Sequence, residues 1–426
     1  MSTHDHTPEA LAALLAAQKQ AFTAAGAVDA ATRRRRIQTA IDLLVKYHKP
    51  LVAAMDEDFG GRHPGFSLMN DVLGSLASLK HARDHFEPWM AAEKRQPFMP
   101  YDQFGAEAWV QYQPKGSVGI IGTWNAPLFT LFAPLAYALA AGNRAILKPS
   151  EIVPRTARVV AEAVAEMFDP LDVAAVTGGP EMGAAVSAQP FDHLVFTGST
   201  EVGKAIMRNA SANLVPVTLE LGGKSPTIIG RSADLATAAF RIAAAKAANA
   251  GQLCVNPDVV YVAREQLEGF VAALKDAFAS FFPTVAGNAD LTAVVNERHL
   301  ARVEGYLADA VARGVPVGGQ PDERVGPRLR RVGPMGDQRP GPAVGDPRQV
   351  VPAELPEKRC AGAVRQRQQS TLPPPGDGIE VGAVGVRFDG VGGIAKSIEI
   401  AVVVVPFVGF EMRGHTMLFH FRRVGA

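Results

Sequence analysis

An α/β protein built on a parallel sheet is the fold class this sequence predicts, and three observations carry it. Short apolar runs at residues 118–122, 144–147, 173–176 and 193–196 read as strands, each separated from the next by a segment of helical pattern. Strands that alternate with helices imply a parallel sheet with helices on both faces. A glycine-rich turn, Thr197-Gly-Ser-Thr-Glu-Val-Gly-Lys204, follows the last of these runs. Such sheets bind ligands beyond the carboxyl ends of their strands.

Taken in order, the chain opens with residues 8–95, which are rich in Ala and Leu and read as helices. Breaks are expected at Gly26, Pro50, Gly60-Gly61 and Pro88. Within this region Arg33-Arg-Arg-Arg36 is followed at helical spacing by Ile37, Ile41, Leu44 and Val45. It is therefore read as the solvated start of an amphipathic helix rather than as a nucleic-acid patch. Residues 108–113 alternate as a strand. Leu147-Lys-Pro-Ser-Glu151 stands at the end of an apolar strand, as a charged turn at a sheet edge would. Val217-Thr-Leu-Glu-Leu221 is again an alternating strand, ending in Gly222-Gly223.

Composition agrees with a multidomain enzyme. The chain has 426 residues, 47% hydrophobic and 20% charged, enough for two or three domains with large cores. Its net charge of +1 gives no reason to expect nucleic acid or another polyanion as partner. Its two cysteines, Cys254 and Cys360, make no disulfide framework, which points to a reducing compartment. The first residues lack the cationic start and apolar run of a secretory signal. The longest apolar tract, residues 400–410, is too short to span a membrane and contains Pro406. A cytoplasmic location is expected, with no membrane association and no metal site.

Chemistry concentrates at Cys254, in Gly251-Gln-Leu-Cys-Val-Asn-Pro-Asp258, 34 positions after Glu220. A thiol works as a nucleophile only as thiolate, which needs a partly exposed site such as a glycine-flanked turn provides. The alternative is a buried structural cysteine. The turn at 197–204 would aim helix N–H groups at an anion. Gly198, Gly203 and Lys204 also have P-loop spacing, but Ala205 stands where that motif needs a hydroxyl for magnesium.

Six stretches, in this order, resemble the aldehyde dehydrogenase superfamily and, within it, its coniferyl aldehyde branch. They are Met55-Asp-Glu-Asp-Phe-Gly-Gly-Arg62, Gly119-Ile-Ile-Gly-Thr-Trp-Asn-Ala-Pro-Leu128, Ile146-Leu-Lys-Pro-Ser-Glu151, Val195-Phe-Thr-Gly-Ser-Thr-Glu-Val-Gly-Lys204, Thr218-Leu-Glu-Leu-Gly-Gly-Lys224 and Gly251-Gln-Leu-Cys-Val-Asn-Pro-Asp258. The resemblance covers about residues 1–319. It implies a parallel-sheet NAD-binding domain with N-terminal helices over residues 1–224, including an oligomerisation hairpin at 108–116, and an α/β catalytic domain, incomplete, over 225–319. It implies Cys254 as nucleophile, Glu220 as general base with a carboxyl raised by a hydrophobic pocket, and Asn125 as oxyanion donor. Lys148, Ser150, Glu151, Gly198, Ser199, Gly203, Leu221, Gly222 and Trp124 would contact the cofactor, with Trp124 also packed under its turn. A carboxylate at Glu151 favours NAD, with NADP as the second candidate. The implied substrate is a small aldehyde, aromatic in kind, and the implied partner a second copy of the chain, as homodimer or homotetramer.

Residues 320–426 depart from that pattern. Two expected motifs, Glu-x-Phe-Gly-Pro and Pro-Phe-Gly-Gly, are missing, and residues 324–375 are rich in Arg and Pro. The C-terminal part of the fold is therefore expected to be missing or altered, with 320–426 a frame-shifted or disordered tail. The alternative functional reading is an inactive remnant that binds NAD at most.

Overall fold

A computed structural model describes residues 6–284 and 288–314, together with the backbone of an antiparallel strand pair, Gly382–Phe388 and Ile398–Val404. Apart from that pair, the expectations for the tail, Cys360 among them, lie outside the described residues.

Two long helices come first. α1 (Pro8–Ala25) is started by the Thr7 hydroxyl, which accepts from the Ala10 N–H, and α2 (Ala30–Phe59) by the Asp29 carboxylate, which accepts from Thr32 N at 2.7 Å. Gly60 closes α2 in the left-handed conformation at φ 64°, where a side chain would be strained. Pro50 does not break α2, contrary to expectation. A proline inside a helix costs about 3 kcal/mol. The stripe Ile37, Ile41, Leu44, Leu51, Met55 is wholly buried on both sides of it, and that burial outweighs the loss. The arginine run is likewise only half solvated: Arg34 and Arg35 are exposed, whereas Arg33 donates to the Val28 and Ala140 carbonyls and Arg36 pairs with Asp172.

A second helical stretch follows as α3 (Pro64–Ser67), a π-helical segment (Leu68–Leu73) and α4 (Gly74–Trp89). Pro88 falls in its last turn, where the helix is ending anyway. β1 (Glu93–Arg95) then pairs antiparallel with β2 (Ala108–Val110), so the expected strand at 108–113 pairs over three residues only. The loop between them exposes Phe98 and Phe104, and β2 exposes Trp109.

The sheet itself runs β3 (Ser117–Ile121), α5 (Phe129–Ala140), β4 (Arg144–Lys148), α6 (Pro154–Met167), β5 (Val173–Ala175), α7 (Pro180–Ala188), β6 (His193–Gly198), α8 (Thr200–Ser211) and β7 (Val217–Leu221). All pairings are parallel and the strand order is β5-β4-β3-β6-β7. Apolar residues of α2, α4, α5 and α6 pack on one face; α1, α7 and α8 pack on the other. β8 (Thr227–Ile228) and β9 (Val260–Tyr261) form a small parallel pair. With α9 (Leu235–Ala247) and α10 (Leu267–Phe281) they enclose a second core around Ile242, Phe270 and Phe278. α11 (Glu297–Ala312) is the last helix among the described residues.

The Met55–Arg62 stretch is the fastener of this arrangement. Arg62 and Asp71 are both fully buried and bond at 2.7 Å, with the Arg62 guanidinium 4.8 Å from the Phe59 ring centre and 5.0 Å from that of Phe66. Asp71 Oδ1 also accepts from Leu128 N at 3.1 Å, at the start of α5. Asp58 accepts from the Arg155 and Thr156 N–H groups and so caps α6 from outside. Burial pushes the Asp58 carboxyl up, and those N–H donors oppose it.

Breaking a buried pair leaves an uncompensated charge and costs about 3–5 kcal/mol, whereas an exposed pair contributes about 0–1 kcal/mol. Asp71→Asn is therefore expected to lower the denaturant midpoint severely and Glu87→Gln, which removes the exposed partner of Arg34, hardly at all. Equal effects of the two substitutions in urea titrations would refute the role given to Asp71.

Candidate active site

In the strand order the chain reverses direction across the sheet between β3 and β6, which are neighbours. Their carboxyl ends are the expected crevice of a doubly wound sheet. The loop after β3 holds Trp124 and Asn125; the turn after β6 holds Gly198 and Ser199. Ser199 caps α8 by accepting from Val202 N, and the first turn of that helix presents N–H groups with no intrahelical acceptor. Lys204 pairs with Glu201 on its own helix. The register sets Gly198 beside Leu221 and Thr197 beside Glu220. A Cβ on Gly203 would lie 2.9 Å from Leu221 Cδ2, so a glycine lets α8 rest on β7. Gly222 and Gly223 open into space beyond it.

At the end of β4, Lys148 is buried and paired with the exposed Glu151, and the Ser150 hydroxyl accepts from Ile152 N at 3.3 Å. Trp124 packs as expected beneath its loop: its ring meets His299 edge-on at 4.8 Å and Phe59 at 6.3 Å. Burial and the neighbouring Arg302 and Arg298 hold His299 below the usual histidine range.

The nucleophile candidate lies on the loop after α9. Cys254 is exposed and its thiol is free. Its loop is bound to both neighbouring loops. Asn125 Nδ2 donates to the Gln252 carbonyl at 2.8 Å, two residues before Cys254. Ser225, five residues after Glu220, donates from its hydroxyl to the Cys254 carbonyl at 3.3 Å. Lys224 pairs with Asp258 at 2.7 Å. The loop of Cys254 is thus bonded both to the loop of Asn125 and to the segment that follows the strand of Glu220. Among the described residues Glu220 is exposed on the edge strand β7, and no further strand pairs with the outer side of β7.

Sequence reasoning missed two groups. Gln252 is the knot of the nucleophile loop, with its amide bonded to Asn249, Ala293 and Val295; only its place two residues before Cys254 hinted at this. Lys246, in the last turn of α9, is buried 3.9 Å from Asp258. Among the described residues no cluster of three or more His, Cys, Asp or Glu could hold a metal, and no helix is long and apolar enough to cross a membrane.

Comparison with known proteins gives matches throughout this region. The model of the aldehyde dehydrogenase family matches residues 1–330. A probable coniferyl aldehyde dehydrogenase of Caulobacter vibrioides is 48% identical over 305 residues, covering 71% of this chain and 63% of the relative. A coniferyl aldehyde dehydrogenase of a Pseudomonas species is 46% identical over 306 residues, covering 72% and 63%. The chain thus spans about 63% of the length of these relatives. Among solved structures, a substrate-bound AldH of Staphylococcus aureus superposes with a TM-score of 0.67 at 32% identity, covering 71% of this chain and 66% of that one. An aldehyde dehydrogenase of Mycobacterium tuberculosis complexed with NAD+ gives 0.66 at 30%, covering 75% and 66%.

Burial pushes Lys246 down to about 8, against the pull of Asp258. Between that value and the ordinary 10.5 the unfolded chain binds the proton more tightly, so this site weakens the fold most below pH 8, and less as pH rises to 10.5. Lys246→Met is expected to raise the unfolding midpoint at pH 7, by a margin that shrinks toward pH 10.5. A margin that grows with pH would contradict this.

Proposed function

This chain belongs to the aldehyde dehydrogenase family, and from that premise we propose that it oxidises an aldehyde to the carboxylic acid through a thioester on Cys254. The observation that carries the reading is the bond from the Asn125 amide to the loop of Cys254, 2.8 Å from the Gln252 carbonyl. It holds a hydrogen-bond donor beside an exposed thiol. The two coniferyl aldehyde dehydrogenases at 46–48% identity support an aromatic aldehyde as substrate.

The Cys254 thiolate adds to the carbonyl carbon, and the carbonyl oxygen gains the negative charge. An Asn125 N–H and the Cys254 main-chain N–H are the donors assigned to it, worth most where charge develops. When bound, NAD accepts the hydride that leaves the substrate carbon. Cys254 then carries an acyl group. Glu220 takes a proton from water, whose oxygen attacks the thioester and expels the thiolate. The acid leaves and Cys254 is restored.

The chain's residues fit a dinucleotide. Gly203 gives α8 its close seat on β7, which brings the helix N-terminus to the sheet's crevice. Ser199, Gly198, Leu221, Gly222 and Trp124 line that end of the sheet. Lys148, Ser150 and Glu151 sit at the end of β4, where Glu151 would accept from a ribose hydroxyl and repel a 2′-phosphate. NAD is the assigned cofactor and NADP the second. A second copy of the chain is the assigned partner of the exposed hairpin around Trp109, and the cytoplasm the assigned compartment. One observation favours the other reading, an inactive remnant that binds NAD at most: Glu220 stands exposed on an edge strand.

NADH formation by the purified chain with coniferyl aldehyde and NAD decides between the two. Cys254→Ser is expected to abolish turnover while NAD affinity stays near the parent's; a variant that still turns over would remove Cys254 from the mechanism. Glu220→Gln is expected to give a burst of about one NADH per site and then slow turnover, since the base acts after oxidation. Loss of the burst itself would place Glu220 earlier in the sequence.

A further inference from the structure

The turn that leads into the nucleophile loop has an uncommon backbone. Asn249 (φ 50°, ψ 34°), Ala250 (φ 54°, ψ 32°) and Gly251 (φ 71°) are successive residues in the left-handed region. That conformation costs a residue with a Cβ about 1–2 kcal/mol. It persists only where the surroundings over-determine it, and such strain gathers at functional sites.

Here the surroundings are polar and specific. Gln252 donates from Nε2 to the Asn249 and Ala293 carbonyls, each at 3.0 Å, and accepts at Oε1 from Val295 N at 3.2 Å. Its side-chain amide therefore spans from the turn to the segment before α11. Asn249 is 1% exposed. Its Nδ2 donates to the main-chain carbonyls of both Asn125, at 3.0 Å, and Gln252, at 3.2 Å. The same Gln252 carbonyl accepts from Asn125 Nδ2 at 2.8 Å. Asn249, Asn125 and Gln252 thus form a closed triangle of hydrogen bonds.

The triangle has a consequence for the donor. An amide nitrogen carries two N–H groups. One from Asn125 is committed to Gln252, and among the described residues the other has no acceptor. With one N–H fixed and the main-chain carbonyl of Asn125 also held, the plane of the amide is set before any substrate arrives. Donors set in advance need no reorganisation as charge develops.

From this geometry we infer that Asn249 is a positioning residue: held by the left-handed turn, it aligns the Asn125 amide so that its second N–H is free for the oxyanion. The inference rests on the reading of Asn125 as that donor. Asn249 is buried, and in this inference it acts through Asn125, directly and by way of the shared Gln252 carbonyl.

Asn249→Gly tests it on the full chain, because glycine keeps the left-handed backbone and deletes only the amide. A misaligned catalytic group costs up to about 100-fold, and kcat for aldehyde oxidation is expected to fall 10- to 100-fold on that scale, with KM little changed. Alkylation of Cys254 by iodoacetamide develops no oxyanion, so its rate is expected to stay at the parent's level. In the Asn125→Ala background Asn249→Gly is expected to cause no further loss, as groups acting through one another are not additive. Gln252→Met, which removes the side-chain bracket and keeps the main-chain carbonyl, is read in the same cycle and decides the matter if Asn249→Gly does not fold. Additive losses, or alkylation falling in step with kcat, overturn the inference alone. A parent chain without aldehyde-dependent NADH formation, or Asn125→Ala with unchanged kcat, overturns the underlying reading and the inference with it.

Discussion

Arg62 and Asp71 meet with no solvent on either side chain, and the geometry of the site descends from that contact. The guanidinium is covered by Phe59 and Phe66, so its charge has few places to go but the Asp71 carboxylate. That carboxylate in turn accepts from the N–H of Leu128, which stands three residues after Asn125. A buried charge pair stabilises little by itself, since desolvation offsets most of the attraction. What it does here is join the end of the second helix to the loop after the first sheet strand. The same short stretch reaches the other flank through Asp58, which holds the helix that follows Lys148 and Glu151. Residues outside the candidate site thus set the positions of two loops that belong to it.

Those loops would still be independent without the nucleophile turn. Gln252 and Asn249 close the gap between Asn125 and Cys254, and Ser225 closes the gap to the strand that carries Glu220. The result is a family fold, α/β and aldehyde dehydrogenase-like, whose described loops are mutually bonded around an exposed thiol.

Much of this was legible in the sequence because strand and helix periodicities are local. The sheet strands fall within a residue or two of the apolar runs, and the glycine turn at 198–203 stands where the pattern puts it. The errors have a common physical origin, which is that tertiary burial is invisible to local rules. Pro50 is tolerated because apolar residues flanking it are buried. Arg33 and Arg36 look like solvated charges until the Ala140 carbonyl and Asp172, over a hundred residues away, claim them. Asn249 gave no signal and Gln252 only its nearness to Cys254, since an amide that bonds main-chain carbonyls across loops has no spacing to read. Glu220 illustrates the converse: its alternation correctly marked a strand, while its surroundings depend on whatever lies beyond the sheet's edge.

That edge carries a kinetic meaning. On the outer side of Val217–Leu221 no strand pairs among the described residues, and an unpaired edge is a template for any extended segment that drifts past. Folding of the chain is first order in protein, whereas capture of one chain's edge by another is second order. Dilution therefore favours the solitary folded chain and crowding favours association, at unchanged sequence and temperature. An unpaired edge of five residues couples the yield of folded chain to its concentration in this way.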